Sequence, residues 1–205
     1  QWAFWFNATD QSYLRHIAKW RHRIGDIERA GRRRDREDLM AAARMLRREA
    51  AATRELLRSP AALLWRAQPA FILRSAHKGN ILWDEESKRC RFVDVEAVSL
   101  GDPTYMLVRF LVSLQRGERF EVPPLFVGAA RDTFLRVCPG WLIPGFDRLF
   151  EARLLEREMS DAVWVVWEHV ERRREGSVTA ATNVEERLGR VALLRHQAVA
   201  KYFGA

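Results

Sequence analysis

The stretch of residues 71–105 decides how this chain is interpreted. It reads F-I-L-R-S-A-H-K-G-N-I-L-W-D over residues 71–84 and, after a charged turn, C-R-F-V-D-V-E-A-V-S-L-G-D-P-T-Y over residues 90–105. Two runs rich in β-branched and aromatic residues, 81–83 and 91–95, surround the polar turn 84–88, a pattern typical of a β-hairpin. We therefore predict one small hairpin here, preceded by a polar loop at residues 74–79.

The predicted hairpin brings two polar side chains together. Asn80 leaves the loop directly before the first strand, and Asp94 lies near the end of the second. Because the two strands pair antiparallel, these residues are expected to be close in space although 14 positions separate them. Taken singly, Asn80 is typical of a turn residue after Gly79, and Asp94 of a carboxylate that accepts hydrogen bonds from turn amides.

Residues 1–60 are predicted to form a helical hairpin. Apolar residues recur with the 4-3 spacing of amphipathic helices in two segments, separated by Gly31 and a run of arginines. Thr9 or Asp10 is the expected N-cap of the first helix, Gly31 its expected stop, and the second helix is expected to end before Pro60. The two stripes consist of Tyr13, Ile17, Trp20, Ile24 and Ile27, and of Leu39, Ala43, Leu46, Ala50, Thr53 and Leu57.

The C-terminal half again has a helical pattern. Helices are predicted over about residues 102–115, 125–137, 146–174 and 183–202, with prolines in the connections. In the long helix the core stripe consists of Met159, Val163, Val166 and Val170. The predicted fold class is mainly α (α+β): a single domain over residues 1–205, with helices around one small β-hairpin.

Composition excludes several classes of protein. With 48% hydrophobic and 30% charged residues, the 205-residue chain is typical of a globular protein with one sizeable core. No uncharged apolar run approaches the ~18 residues of a membrane span, so no membrane partner is expected. Cys90 and Cys138 lack the spacing of a zinc site and are expected to be reduced thiols in a cytoplasmic protein.

The net charge of +8 raises the question of a nucleic-acid partner. The basic excess is almost entirely arginine, and most arginines alternate with acidic residues, which is typical of solvated helix faces. The basic runs at 32–34 and 172–174 are short and have no interleaved aromatic residues on which bases could stack. A nucleic-acid partner is therefore not favoured.

Three motifs within the 71–105 stretch occur together in one known family. In the first motif, the catalytic loop of pattern H-G-D-x-x-x-x-N-I-L, Asn80, Ile81 and Leu82 match N-I-L, and His77 and Gly79 fit the loop before them. The second motif, hydrophobic-I-D-W-E, is matched by Asp94 and Glu96, and the third, G-D-P-x-Y, by Gly101, Asp102, Pro103 and Tyr105. In this order and spacing, the chain resembles the aminoglycoside phosphotransferase and choline kinase family, a branch of the protein-kinase-like fold. The resemblance implies the large C-terminal lobe of that fold.

The resemblance also implies a role for each matching residue. Asp94 would be the main magnesium carboxylate and Asn80 the second ligand, since phosphoryl transfer from ATP requires hard oxygen ligands around Mg²⁺. His77 would bond the backbone of the catalytic loop. Structural roles would fall to Gly79, Glu96, Gly101, Asp102 and Pro103, with Asp102 as the N-cap of the next helix. The acceptor would be a small-molecule hydroxyl, as in an aminoglycoside, choline or a sugar.

One departure from the family falls on the catalytic base. Counting back five positions from Asn80, the family's aspartate falls on Ser75, with Leu73 and Arg74 in place of its histidine and glycine. A serine cannot be the carboxylate that orients and deprotonates the acceptor, and a general base contributes about two to four orders of magnitude in rate. The resemblance thus implies an impaired catalyst, with His77 the next residue to consider as the base.

A second departure lies upstream of the loop. No G-x-G-x-x-G and no strand-borne lysine precede it, so the N-terminal nucleotide-binding lobe is expected to be absent and ATP binding to be weak. The chain is then a fragment of a longer protein or a degenerate domain. Two interpretations stay open: an impaired phosphotransferase lobe, and a non-catalytic, pseudokinase-like binding or scaffold domain.

Overall fold

A computed structural model describes residues 8–64, 70–73, 75–95, 98–101, 103–114, 124–137, 146–172, 176–178 and 182–202. Within these residues the helices are α1 Ala8–Arg33, α2 Glu37–Leu64, α3 Pro103–Ser113, α4 Pro124–Val137, α5 Phe146–Glu171 and α6 Val184–Tyr202. The strands are β1 Ala70–Leu73, β2 Ile81–Asp84, β3 Arg89–Phe92 and β4 Val98–Gly101. The prediction of a mainly helical chain with a small β-element is confirmed.

The chain folds into two compact units. The helical unit comprises Gln11–Ala61 and Leu154–Ala205, and the mixed unit comprises Gln1–Asp10 and Ala62–Arg153. Helix α5 contributes its residues up to Arg153 to the mixed unit and the remainder to the helical unit. All four strands belong to the mixed unit.

The core of the helical unit includes the apolar stripes that the sequence predicts. Ile17 is half-buried, and the side chain of Tyr13 lies outside the described residues. The other stripe residues are buried: Trp20, Ile24, Ile27, Leu39, Ala43, Leu46, Ala50, Thr53, Leu57, Met159, Val163, Val166 and Val170. Since full burial of a large apolar side chain contributes about 1.5–3 kcal/mol, these stripes supply much of the stability of the unit.

Polar groups inside the helical unit pair with one another. The Trp20 indole Nε1 donates to Ser160 Oγ at 2.8 Å, and Ser160 Oγ donates to Glu156 Oε1 at 2.9 Å. His16 pairs with the same buried Glu156 carboxylate. Pairing of this kind offsets the desolvation that burial of a charged group would otherwise cost.

Gly31 does not end α1, contrary to the sequence-based expectation. The helix continues to Arg33, and Gly31 is buried where a Cβ atom would lie 2.9 Å from Met40 Cγ and 3.2 Å from the Arg36 carbonyl oxygen. The glycine therefore permits close approach of α1 and α2. The left-handed residue of the turn is Asp35, at φ 50°, a conformation that aspartate tolerates better than most residues.

Pro60 does not end α2 either, which corrects a second expectation. The helix runs through Ser59 and Pro60 to Leu64. Proline forfeits one backbone hydrogen bond in a helix interior. The leucines and alanines on both sides have high helix propensity and keep the backbone helical.

Two antiparallel strand pairs form the β-structure of the mixed unit. The predicted hairpin is β2–β3, with Ile81 opposite Phe92 and Asp84 opposite Arg89, so its second strand lies earlier than the predicted 91–95. A second pair joins β1 to β4, with Phe71 opposite Leu100. The V-S-L run of β4 has no local sequence signal for this pairing, because its partner strand lies almost thirty residues upstream.

Helices α3 to α5 complete the mixed unit. Val108, Leu111 and Val112 of α3 are buried, and α3 contacts both β1 and α4. Arg131 of α4 donates from Nε and Nη2 to the two carboxylate oxygens of Asp147 in α5, at 2.7 and 2.9 Å. This bidentate pair fixes the two helices across the connection between them.

Candidate functional site

The loop before the hairpin is shaped by local hydrogen bonds. The Ala76 amide donates to the Leu73 carbonyl at 3.2 Å, and a 3₁₀ turn, Lys78–Asn80, follows. His77 is the N-cap of this turn, because its Nδ1 accepts from the Gly79 amide at 3.2 Å. The Asn80 amide donates to the His77 carbonyl at 2.9 Å, which closes the turn and leads directly into β2.

Helix α3 holds the same loop from one side. The Lys78 amide donates to Ser113 Oγ at 2.7 Å, and Ser113 Oγ donates in turn to the Phe110 carbonyl at 2.6 Å. A hydroxyl that both accepts and donates fixes the end of α3 to the loop backbone. Nothing in the sequence singles out Ser113 as a contributor to this loop, since serine at a helix end is ordinarily a capping residue.

Asn80 and Asp94 lie together, as the antiparallel pairing predicts. Asn80 Nδ2 donates to Asp94 Oδ2 at 3.0 Å. The Val93 amide donates to the Asn80 carbonyl at 2.9 Å and extends the β2–β3 ladder by one residue pair. Asp94 is exposed and Asn80 is half-buried, so the carboxylate of this Asn80–Asp94 pair is accessible to solvent.

Ser75 completes the arrangement. Its hydroxyl donates to the Asp94 carbonyl oxygen at 2.6 Å, and its own carbonyl accepts from Asn80 Nδ2 at 3.1 Å. Asp94 has φ 57°, in the left-handed region, which costs a non-glycine residue on the order of 1–2 kcal/mol. The hydrogen bond from Ser75 stabilises this conformation, and the Ser75 side chain is only 9% exposed.

Of the other residues implied by the family resemblance, some lie within the described part of the chain and some outside it. Gly79 is exposed, and a Cβ there would lie 3.2 Å from the His77 ring, so the glycine leaves room for the cap. Gly101 ends β4, and Pro103 begins α3. Glu96, Asp102 and the loop residue Arg74 lie outside the described residues.

The side chains of the hairpin beyond this pair form their own contacts. Hydrogen bonds from the side chain and amide of Ser87 lower the pKa of Asp84, whose Oδ1 also accepts from the Glu86 amide at 3.2 Å. Hydrogen bonds from Lys88 and Trp83 lower the pKa of Glu85. These carboxylates organise the turn and are separate from the Asn80–Asp94 pair.

The oxygen atoms of the Asn80–Asp94 pair suit a hard cation whose remaining ligands are water or substrate oxygens. Both hydrogens of the Asn80 amide point at protein oxygens, which leaves Oδ1 for a cation, and Asp94 supplies a carboxylate. Within the described ranges no three His, Cys, Asp or Glu side chains form a ready metal cluster. Mg²⁺ binds in this manner through one or two carboxylates, with water and substrate phosphates as its remaining ligands.

Comparisons with known proteins bear on this interpretation in one way. No model of a protein family matches the chain, and no curated protein sequence matches it. The resemblance to phosphotransferases therefore rests on the motif residues of the sequence. No helix in the described part of the chain has the length and hydropathy that a bilayer crossing requires.

Proposed function

We propose that this chain is the large lobe of a kinase-like phosphotransferase, in which the Asn80–Asp94 pair binds the Mg²⁺ that accompanies nucleotide phosphates. The observation that carries the proposal is the 3.0 Å contact between an amide and a carboxylate placed by the two strands of one hairpin. Mg²⁺, when bound, would neutralise phosphate charge. The acceptor is a small-molecule hydroxyl, and the protein acts in the cytoplasm.

Each residue of such a site has a separate role. Asp94 contributes the negative charge, and Asn80 contributes a neutral oxygen whose amide hydrogens are held by Ser75 and Asp94. His77 caps the 3₁₀ turn through Nδ1, which leaves Nε2 as the atom that could meet a phosphate or an acceptor hydroxyl. Ser75 takes the position of the family's base without its carboxylate, so transfer is impaired.

A pseudokinase-like binding or scaffold domain is the second candidate. One observation favours it: the Ser75 hydroxyl is already engaged with the Asp94 carbonyl at 2.6 Å and would have to leave that bond to meet an acceptor. In this alternative the Asn80–Asp94 pair binds a cation and phosphates but transfers nothing.

Manganese titration tests the site that both candidates share. Mn²⁺ replaces Mg²⁺ at oxygen ligands and broadens the NMR signals of nearby nuclei. Added to the ¹⁵N-labelled chain with ATP, it should broaden the amide signals of residues 78–82 and 93–95 first. Asp94→Asn should abolish this selective broadening. Asp84→Asn, a matched change on the same hairpin, should retain it.

A transfer assay then separates the two candidates. With radiolabelled ATP and aminoglycoside, choline and sugar acceptors, an impaired enzyme gives slow phosphate transfer that Asp94→Asn abolishes, whereas a scaffold gives manganese binding without transfer. Broadening spread evenly over the chain, or centred on Asp84, would refute the site. Turnover above about one per second, the usual range of kinases, would contradict the assignment of Ser75 as a degenerate base.

A further inference from the structure

We propose that Ser75 is a positioning residue that orients both members of the Asn80–Asp94 pair, and that it is more than the remnant of a lost base. The inference rests on the proposed function in so far as the pair binds a cation. Its structural part, the orientation of Asp94 by the Ser75 hydroxyl, stands on the hydrogen bonds alone.

The side chain of Asp94 needs an anchor of this kind. Asp94 is exposed, so its orientation depends on the backbone more than on packing around the carboxylate. The Val93 amide bonds to Asn80 and fixes the Phe92–Val93 peptide, one residue before Asp94, and the Ser75 hydroxyl bonds to the Asp94 carbonyl and fixes the peptide after it. With the backbone held on both sides of Asp94, the range of directions open to its Cα–Cβ bond is restricted.

Ser75 also orients the second member of the pair. Its carbonyl oxygen accepts one hydrogen of the Asn80 amide, and Asp94 Oδ2 accepts the other. One residue thus holds the asparagine through its main chain and the aspartate through its hydroxyl. Because Ser75 is nearly buried, water competes little for either bond.

An aspartate at position 75 could not provide the same bond. An ionised carboxylate has no hydrogen to donate and would place an acceptor against the Asp94 carbonyl. A single substitution toward the family's sequence is therefore expected to loosen Asp94. In this chain, the hydroxyl at position 75 and the left-handed Asp94 form one structural unit.

Alanine and threonine variants test the inference. Ser75→Ala removes the donor, and Ser75→Thr keeps it. In the absence of metal, the alanine variant should shift the carbonyl ¹³C signal of Asp94 and the side-chain NH₂ signals of Asn80, and threonine should restore them. Groups that orient metal ligands typically contribute about 10–100-fold in affinity. The dissociation constant for Mn²⁺ should therefore rise by that factor in Ser75→Ala and stay within about threefold in Ser75→Thr.

Each outcome decides a separate point. Ser87→Ala, at an exposed serine of the hairpin turn, should change neither readout. If Ser75→Ala leaves the Asp94 and Asn80 signals and the Mn²⁺ affinity as in the wild type, the inference is overturned. If the wild type binds no Mn²⁺, the proposed function fails, while the metal-free signals still decide the role of Ser75. Should the alanine variant not fold, Ser75→Cys, with a weaker donor of similar size, replaces it.

Discussion

The helical unit and the 75–94 segment of the mixed unit hold their chains in place by different means. In the helical unit, stripes of apolar residues are buried along α1, α2 and α5, and Trp20 is 1% exposed. In the hairpin, both Trp83 and Phe92 are half-exposed, and the geometry depends on hydrogen bonds between loop, strands and α3. Stability is concentrated in the first region and candidate chemistry in the second.

The largest expected effect compares two tryptophans. Trp20→Ala removes a buried side chain that also donates to Ser160, and it should lower the free energy of unfolding by about 3–5 kcal/mol. Trp83→Ala, at a position 55% exposed, should change it by less than about 0.5 kcal/mol. Urea denaturation followed by circular dichroism measures both. Equal losses would mean that the hairpin is as much a part of the core as α1.

Two glycines in helices compare a tightly packed position with an open one. Gly31→Ala places a Cβ atom 2.9 Å from Met40 Cγ at the contact between α1 and α2, and should cost about 1–3 kcal/mol of unfolding free energy. Gly189→Ala, in α6 with nothing within 4 Å of the added carbon, should instead stabilise the chain by up to about 1 kcal/mol. The difference in sign is the result to look for in thermal unfolding, and two losses would contradict the close contact.

A smaller effect concerns two carboxylates of the helical unit. The Arg36 guanidinium, together with the Val178 amide, lowers the pKa of Asp38, whereas burial raises the pKa of Asp161 despite its pair with Arg157. The depressed pKa means that Asp38 stabilises the fold above its unfolded-state pKa, and that this is lost as pH falls below about 4. The raised pKa means that Asp161 costs stability as pH rises from about 4 through its folded-state pKa.

Asparagine variants measure these opposite contributions. At pH 7, Asp38→Asn should lower the free energy of unfolding by about 1 kcal/mol, the difference between a charged and a neutral hydrogen bond. Asp161→Asn should lower it less or raise it. As the pH is brought down to 3, the difference between wild type and Asp38→Asn should shrink. If that difference stays constant with pH, the bond to Arg36 does not stabilise the fold through charge.

Much of the fold could be predicted from periodicity alone. The buried stripes of α1, α2 and α5 follow a 3.6-residue period, which a sequence displays directly. The errors in the helices include those at Gly31 and Pro60, where a residue that usually ends a helix is placed inside one. Close packing against Met40 explains the glycine, and contacts between distant segments leave no local signal in a sequence.

The candidate site was only partly predictable. Hairpin pairing predicts that Asn80 and Asp94 meet, and they do. The left-handed backbone of Asp94 and its bond from Ser75 could not be predicted, because serine and aspartate both occur in many turns. In the sequence, Ser75 is only the position at which the resemblance to the phosphotransferase family lacks a carboxylate. The structure shows in addition what the hydroxyl does.

The hairpin itself has a consequence for how this chain tolerates changes in length. Asn80 and Val93 form the base of the ladder, and the residues beyond them extend toward an exposed turn capped by Asp84. Deleting Leu82 and Trp83 with their partners Arg91 and Cys90 would shorten the hairpin by one full repeat and leave its base in register. Deleting one residue from a single strand would turn the side chains beyond it to the other face. The hairpin thus behaves as a spacer of adjustable length, with tolerance for changes in pairs.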